Sequence, residues 1–223
     1  MSSEHGESDP DQAVPRRVGR PPRLAASQVV DAAIELGDQM GLEELSMPKL
    51  ARHLGVGTMT LYGYVESKQD LLDKMAARIF EGLAAPSNDD WQQALTVFFS
   101  DFREAALAHP TLAGLLATGR VTIPAVFEIL EAFFQKTTAH GVPIDEAVRT
   151  FYAGLTYTIG FVLWEIPRAH LQPEAAYAEQ WAGLISRLDP TRYPLLSGPA
   201  ATAVPTVASP PQFEWGLNKI ISG

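Results

Sequence analysis

Two groups of side chains in this 223-residue chain have types and spacing suited to chemistry on a polyanion. Arg16, Arg17, Arg20 and Arg23 crowd around Gly19 and Pro21-Pro22 with no acid among them. That makes a slim, extended cationic arm of the kind that enters a minor groove. Further on, Thr58, Met59, Thr60, Tyr62 and Tyr64 follow the linker Gly55-Val56-Gly57. Their hydroxyls, methyls and rings suit base edges and phosphates. Lys68 follows them at the start of the next helix; an ammonium there adds to the pull of the helix's free N–H groups on a phosphate. A solvated basic tail and an ordinary pair of short amphipathic helices are the plainer readings of the same residues.

Catalytic chemistry finds no comparable set. The chain has no cysteine, which removes thiol nucleophiles, disulfides and thiolate metal sites. No two histidines stand at a metal-ligand spacing such as H-x-x-x-H, and there is no phosphate-cradling glycine loop. His109, before Pro110, is expected in a cap or surface role; His53, His140 and His170 are expected to be exposed, and Glu165 to be a surface or interface charge. No catalytic residue, metal or cofactor is expected, and the chain is not read as an enzyme. The net charge of −9 at first argues against nucleic acid. The positive charge is local, however: residues 16–24 carry four arginines and no acid, while residues 86–223 are acidic overall.

The elements that must position these residues are helices. Val30, Ala33, Ile34, Gly37 and Met40 recur at helical spacing over Ser27 to Met40, and Gly41 stops the pattern. Ser46 is placed to cap a short helix with Pro48 in its first turn and Leu50, Ala51 and Leu54 on its apolar side, ending at Gly55. A second short helix is expected from Thr58 to Val65, carrying Leu61 and Val65. Ser67 with Asp70 forms an S-x-x-D cap for a third, whose stripe is Leu71, Leu72, Met75, Ile79 and Leu83. Two short helices about a glycine turn, between longer ones, form a helix-turn-helix, whose second helix lies in a major groove.

Beyond Pro86 the pattern stays helical, broken at Pro110, Gly119, Gly141, Pro173 and Pro190, with no strand signal. Ile144 to Ile166 is apolar almost all round, and Thr150 to Trp164 carries no charge. That run is shorter than the ~20 residues needed to span a bilayer, so burial in a bundle is expected and a membrane is not. Phe98, Phe102, Leu116, Thr118, Ile129, Phe133, Val148, Phe151 and Tyr152 are the candidate walls of a cavity for an apolar or aromatic small molecule; plain core packing competes for each. The long helix and a terminal helix from Phe213 are candidates for a four-helix dimer interface through Phe151, Leu155, Thr158, Ile159, Val162, Phe213, Leu217 and Ile220, with core packing within one subunit as the competing reading. The small residues Ala153, Gly154, Thr158 and Gly160 would admit close backbones there. Residues 189–211, with six prolines, are expected to be a flexible loop.

Met47 to Lys74 resembles the signature of the tetracycline-repressor-like (TetR) family of bacterial transcriptional regulators, in Leu50-Ala51, Leu54-Gly55-Val56, Leu61-Tyr62, Lys68 and Leu71-Leu72. Phe213 to Gly223 (FEWGLNKIISG) is similar to the C-terminal helix of the tetracycline-repressor branch. The resemblance implies an all-α protein: a three-helix DNA-binding head on a larger helical domain for ligand binding and dimerisation. It places Thr58, Met59, Thr60, Tyr62, Tyr64 and Lys68 against DNA, with Lys49 and Arg52 near the backbone. Two departures limit it. Tetracycline-binding members hold a magnesium–tetracycline complex through a histidine and a threonine, where this chain reads Leu115-Leu116-Ala117-Thr118-Gly119; no histidine stands there. Gly63 replaces the bulky aromatic of some members, so their operator preference does not carry over.

The expected organisation is an acidic, disordered tail with the arginine arm over 1–24, a helix-turn-helix domain over 25–70, and a ligand-binding and dimerisation domain over 71–223. The expected function is a cytoplasmic, homodimeric, ligand-responsive regulator, a repressor released from a near-palindromic operator in double-stranded DNA by a small-molecule effector. A dimeric DNA-binding regulator without an effector and a helical enzyme or carrier are the alternatives.

Overall fold

The structure is a computed structural model that describes residues 24–83, 90–117, 124–171, 174–201 and 209–223. The arginine arm and Thr118 lie outside these residues. Among the described residues the chain forms helices and no strand: α1 (Ala26–Met40), α2 (Met47–His53), α3 (Thr58–Leu61), α4 (Lys68–Phe80), α5 (Trp91–Ala108), α6 (Pro110–Ala117), α7 (Pro124–Ala139), α8 (Ile144–Leu171), α9 (Glu174–Ile185) and α10 (Pro210–Ser222). The all-α class read from periodicity stands.

Local chemistry sets the boundaries of the head. Helix α1 buries Val29, Val30, Ala33, Ile34, Leu36 and Gly37 and ends at Gly41 (φ +86°), whose N–H donates to the Gly37 carbonyl at 2.8 Å. After α2 the chain turns through Gly55 at φ +67°; Val56 N–H reaches the Ala51 carbonyl (3.0 Å) and Gly55 N–H that of Arg52 (3.2 Å). This pair of bonds closes a helix on a left-handed residue, a position that glycine occupies without strain. Ser67 Oγ accepts from Asp70 N–H (3.0 Å), and the Asp70 carboxylate turns back to accept Glu66 N–H (2.8 Å), as the S-x-x-D spacing requires.

Three local expectations differ from what is observed. The Ser46 backbone is extended as at an N-cap, but its side chain makes no capping bond. Helix α3 is a single turn ending at Leu61 rather than Val65, and hydrogen-bonded turns carry the chain on to Val65; Gly63 disfavours further helix by about 1 kcal/mol. The terminal helix starts three residues earlier than expected, with Pro210 and Pro211 in its first turn, where no N–H is needed. In the expected loop, residues 189–201 form consecutive turns tied by Asp189, whose carbonyl accepts Tyr193 N–H at 2.9 Å and whose carboxylate accepts Thr191 N–H at 2.8 Å.

Head and body share one continuous apolar core, from Val29, Leu50, Leu61 and Met75 through Phe80, Phe99 and Phe102 to Phe133, Phe161 and Leu217. The boundary expected between residues 70 and 71 falls inside α4, which gives Leu71 and Met75 to that core and Phe80 to the body's aromatic cluster. Asp38 of α1 fastens the two parts: its carboxylate bonds His109 Nδ1 at 2.8 Å and accepts Thr111 N–H, at the start of α6, at 3.1 Å. Beside it, a Cβ on Gly37 would lie 2.8 Å from Thr111 Oγ1, so glycine is what lets α1 and α6 touch. His109 is thus both the C-cap of α5 and a tie to the head.

Within the body, α5, α8 and α10 form the largest packed unit. Gly154 of α8 lies against the Phe99 ring, and Gly216 of α10 against the Tyr157 hydroxyl, each with no room for a Cβ. Tyr157 Oη donates to the carbonyls of Gln212 (3.2 Å) and Phe213 (3.3 Å), and burial pushes its phenol pKa upward, the nearby Arg103 charge opposing. Glu165 is neither a surface nor an interface charge. It pairs with Arg103 of α5, Nε to Oε2 at 3.0 Å and Nη2 to Oε1, and the two side chains are only 14% and 10% exposed. The Arg103 guanidinium lies 5.3 Å from the Phe213 ring centre and 6.0 Å from that of Phe161.

Candidate DNA-binding head and effector cavity

Leu61 is the one residue of α3 that is buried; it holds the turn on the head's core, so its neighbours project outward. Met59 is 82% exposed and Tyr62 46%, and Thr60 is exposed while Thr58 and Tyr64 are half-buried. Tyr64 packs against the core, which limits its reach.

Of the candidate phosphate ligands, Lys68 and Arg52 are exposed and Lys49 is half-buried. Lys49 is not free: its ammonium is paired with Glu44, in the turn before α2, and the lysine holds the Glu44 carboxyl below its ordinary pKa through the hydrogen bond and its charge. Glu44 escaped the sequence reading because a five-residue separation across a turn matches no helical pair spacing. Lys74 of α4 is likewise engaged, with Asp70, whose carboxyl is held low by that bond first and then by the Glu66 N–H.

In the body, Phe80, Phe98, Phe102, Leu116, Val126, Phe127, Leu130, Phe151, Tyr152 and Leu155 wall a cavity of about 250 Å³. Five expected wall residues are there: Phe98, Phe102, Leu116, Phe151 and Tyr152. Ile129 and Phe133 are instead buried in the core, and Val148 is half-buried away from the cavity. Phe133 takes that place because it packs on Trp91, Phe134 and Phe151, with ring centres 6.4, 5.6 and 5.5 Å away. Phe80, Val126, Leu130 and Leu155 join the wall without having been expected. Aromatic and apolar spacing marks a buried face, and only the crossing of α4, α5, α7 and α8 decides which part of that face borders a void. A larger groove of about 960 Å³ runs between head and body, but it is open and lined by Asp31, Glu35, Asp38, Asp101 and Glu104 with Arg78 and His109. Its carboxylates suit water better than an apolar guest.

The dimer residues need correcting. Phe151, Thr158, Val162, Phe213 and Leu217 are buried inside the single chain, so their side chains have no surface left for a second copy; Leu155, Ile159 and Ile220 are half-buried. Gly154 and Thr158 admit α5 and the helix's own turn rather than a partner: Thr158 Oγ1 donates to the Gly154 carbonyl at 2.8 Å. The outward face of the same two helices carries Ala153, Thr156, Gly160, Leu163 and Trp164 of α8 and Trp215 of α10. Along it runs a shallow groove formed by Thr156, Tyr157, Gly160, Phe161, Trp164 and Gln212. Among the described residues no group of three or more histidines and carboxylates could hold a metal ion, and no helix is long and apolar enough to cross a membrane.

Comparison with known proteins covers nearly the whole of this arrangement. Residues 29–75 match the model of the bacterial regulatory proteins of the tetR family, and residues 83–223 match that of the tetracyclin repressor-like C-terminal domain. The HTH-type transcriptional repressor DrrR1 of Streptomyces coeruleorubidus is 28% identical over 217 residues, covering 92% of this chain and 78% of that protein. The class E tetracycline repressor protein of Escherichia coli is 33% identical over 147 residues, 64% of this chain and 69% of the repressor. Among solved structures, the Streptomyces coelicolor TetR family protein ActR in complex with actinorhodin superposes with a TM-score of 0.79 at 26% identity, over 91% of this chain and 95% of ActR.

Proposed function

Because the chain belongs to the TetR family of bacterial regulatory proteins, we propose that it is a homodimeric repressor, working in the cytoplasm, that a small apolar or aromatic effector releases from a near-palindromic operator. The observation that carries this reading is the path of α4. Its first residue, Lys68, stands in the head, and its last, Phe80, is part of the cavity wall. A guest that moves the wall therefore acts on the helix that carries the head. Leu116, near the far end of α6, lines the same cavity, while Thr111 at its beginning is bonded to Asp38 of α1.

On operator DNA, α3 lies in a major groove with Thr58, Met59, Thr60 and Tyr62 on base edges. Arg52, Lys68 and the arginine arm, Arg16, Arg17, Arg20 and Arg23, neutralise phosphates and supply most of the affinity; Lys49 joins them by exchanging its pair with Glu44 for a phosphate. The two copies meet through α8 and α10, on the outward face carrying Gly160, Leu163, Trp164 and Trp215. The effector favours a dimer geometry whose heads no longer match the half-site spacing, and the coupling is reciprocal: operator weakens effector binding by the same factor. The apolar walls suit a neutral ring system; the relative ActR is itself solved with actinorhodin. The cavity favours this reading over a regulator without an effector, and the family is one of DNA-binding regulators rather than enzymes or carriers.

Selection of bound sites from a random duplex library, at two salt concentrations and with Thr60→Ala beside the parent, tests the reading. The expected result is a palindromic motif that Thr60→Ala weakens or blurs. Uniform binding that responds only to salt would overturn it.

A further inference from the structure

The base-reading surface has an unusual chemistry. From Gly55 to Val65 the chain reads Gly-Val-Gly-Thr-Met-Thr-Leu-Tyr-Gly-Tyr-Val, with no arginine, lysine, histidine, asparagine, glutamine or carboxylate. The strong readers of purines are bidentate: Arg or Lys on guanine O6 and N7, and Asn or Gln on adenine N6 and N7. Nothing on α3 can form either pair. What α3 does offer is the Met59 thioether, 82% exposed, at the second position of the helix, and the Thr60 methyl and hydroxyl next to it. In a major groove the apolar feature available to such groups is the C5-methyl of thymine. Met59 makes no contribution to the core, so its thioether is available for such a contact.

Resting on the DNA-binding reading above, we infer that Met59 is a specificity-determining residue of the head and reads an A·T pair in each half-site through the thymine methyl. The unbranched, polarisable thioether conforms to a methyl without fixed geometry, and the contact removes both groups from water. Hydroxyls of Thr60 and Tyr62 accept or donate to neighbouring edges and phosphates but do not by themselves separate the four base pairs.

The test replaces thymine by deoxyuracil, one position at a time, in the duplex recovered by selection. This deletes the methyl and leaves base pairing and every hydrogen-bonding group in place. Losing one buried methyl is expected to weaken binding about fourfold per half-site, hence about sixteenfold when both half-sites are changed, at a single symmetric position. Met59→Ala, which touches no core residue, is expected to bind the thymine duplex more weakly and to be indifferent to uracil at that position. If every uracil duplex binds like its thymine parent, or if Met59→Ala keeps the full methyl effect, the inference is overturned while DNA recognition stands. If no duplex is selected at all, the DNA-binding reading falls, and this inference falls with it.

Discussion

Replacing Glu165, in the last third of α8, by leucine should destabilise the fold strongly. The carboxylate takes two bonds from the Arg103 guanidinium, and the pair is enclosed by Phe161 and Phe213, with 10% of the arginine and 14% of the glutamate side chain exposed. Removing it leaves a nearly buried cation with no carboxylate at ion-pair distance among the described residues, a situation worth about 3 to 5 kcal/mol. For a chain of this size each kcal/mol moves Tm by roughly 2 to 4 °C, so a fall on the order of 10 °C is expected. Thermal unfolding followed by circular dichroism, at one fixed protomer concentration, reads it directly. The double variant Arg103→Met with Glu165→Leu is the control: with both charges gone and similar volume restored, stability should return to within about 1 kcal/mol of the parent. A Glu165→Leu loss below about 1 kcal/mol, or a double variant worse than the two single changes added together, would refute the assignment of an isolated, enclosed ion pair.

Glycines of α8 should respond oppositely. Gly154→Ala drives a Cβ into the Phe99 ring and should cost about 1 to 3 kcal/mol, whereas Gly160→Ala, where a Cβ meets nothing within 4 Å, should gain about 0.5 to 1 kcal/mol in the single chain; urea unfolding distinguishes them. Asp70 has its carboxyl pKa held below the ordinary value by Lys74 and the Glu66 N–H, so it stabilises the fold above the ordinary carboxylate range and loses that contribution as pH falls through its lowered pKa. Asp70→Asn should therefore be less stable at pH 7 by up to about 1 kcal/mol, with the gap closing as pH falls below the ordinary carboxylate range and through that lowered pKa. Leu155→Trp fills part of the cavity of about 250 Å³; it should reduce uptake of the neutral fluorophore N-phenyl-1-naphthylamine at least tenfold in a fluorescence titration while the variant stays folded. Lys68→Ala should weaken operator binding for every sequence alike and flatten the plot of log affinity against log salt by about 0.9 per head.

The head was largely legible from the sequence because its determinants are local. Gly41 and Gly55 end helices through their own positive φ, Ser67 and Asp70 cap within four residues, and the helical spacing from Val30 to Gly37 is a property of the segment itself. The limits of that reading are equally local: Gly63 shortened α3, and Ser46 left its cap unmade. The body was legible as helices but not as a site. Periodicity marked Phe133, Phe151 and Phe213 as apolar without saying what each would face: the packing of α7 on α5 and α8 buried Phe133 and helped bring Phe151 to the cavity, and the crossing of α5, α8 and α10 buried Phe213. The same crossing decided the fate of Glu165, which sequence spacing showed only as a charge near the end of an apolar run. Arg103 lies 62 residues away, and no local pattern links them. The chain's own sequence thus determined which segments are helical and which side chains are fit to meet DNA, since those follow from dihedral preference and side-chain chemistry. The tertiary structure alone decided which apolar residues line a void, which face of α8 is turned outward and which charge is buried, because each is set by helices that meet only after folding.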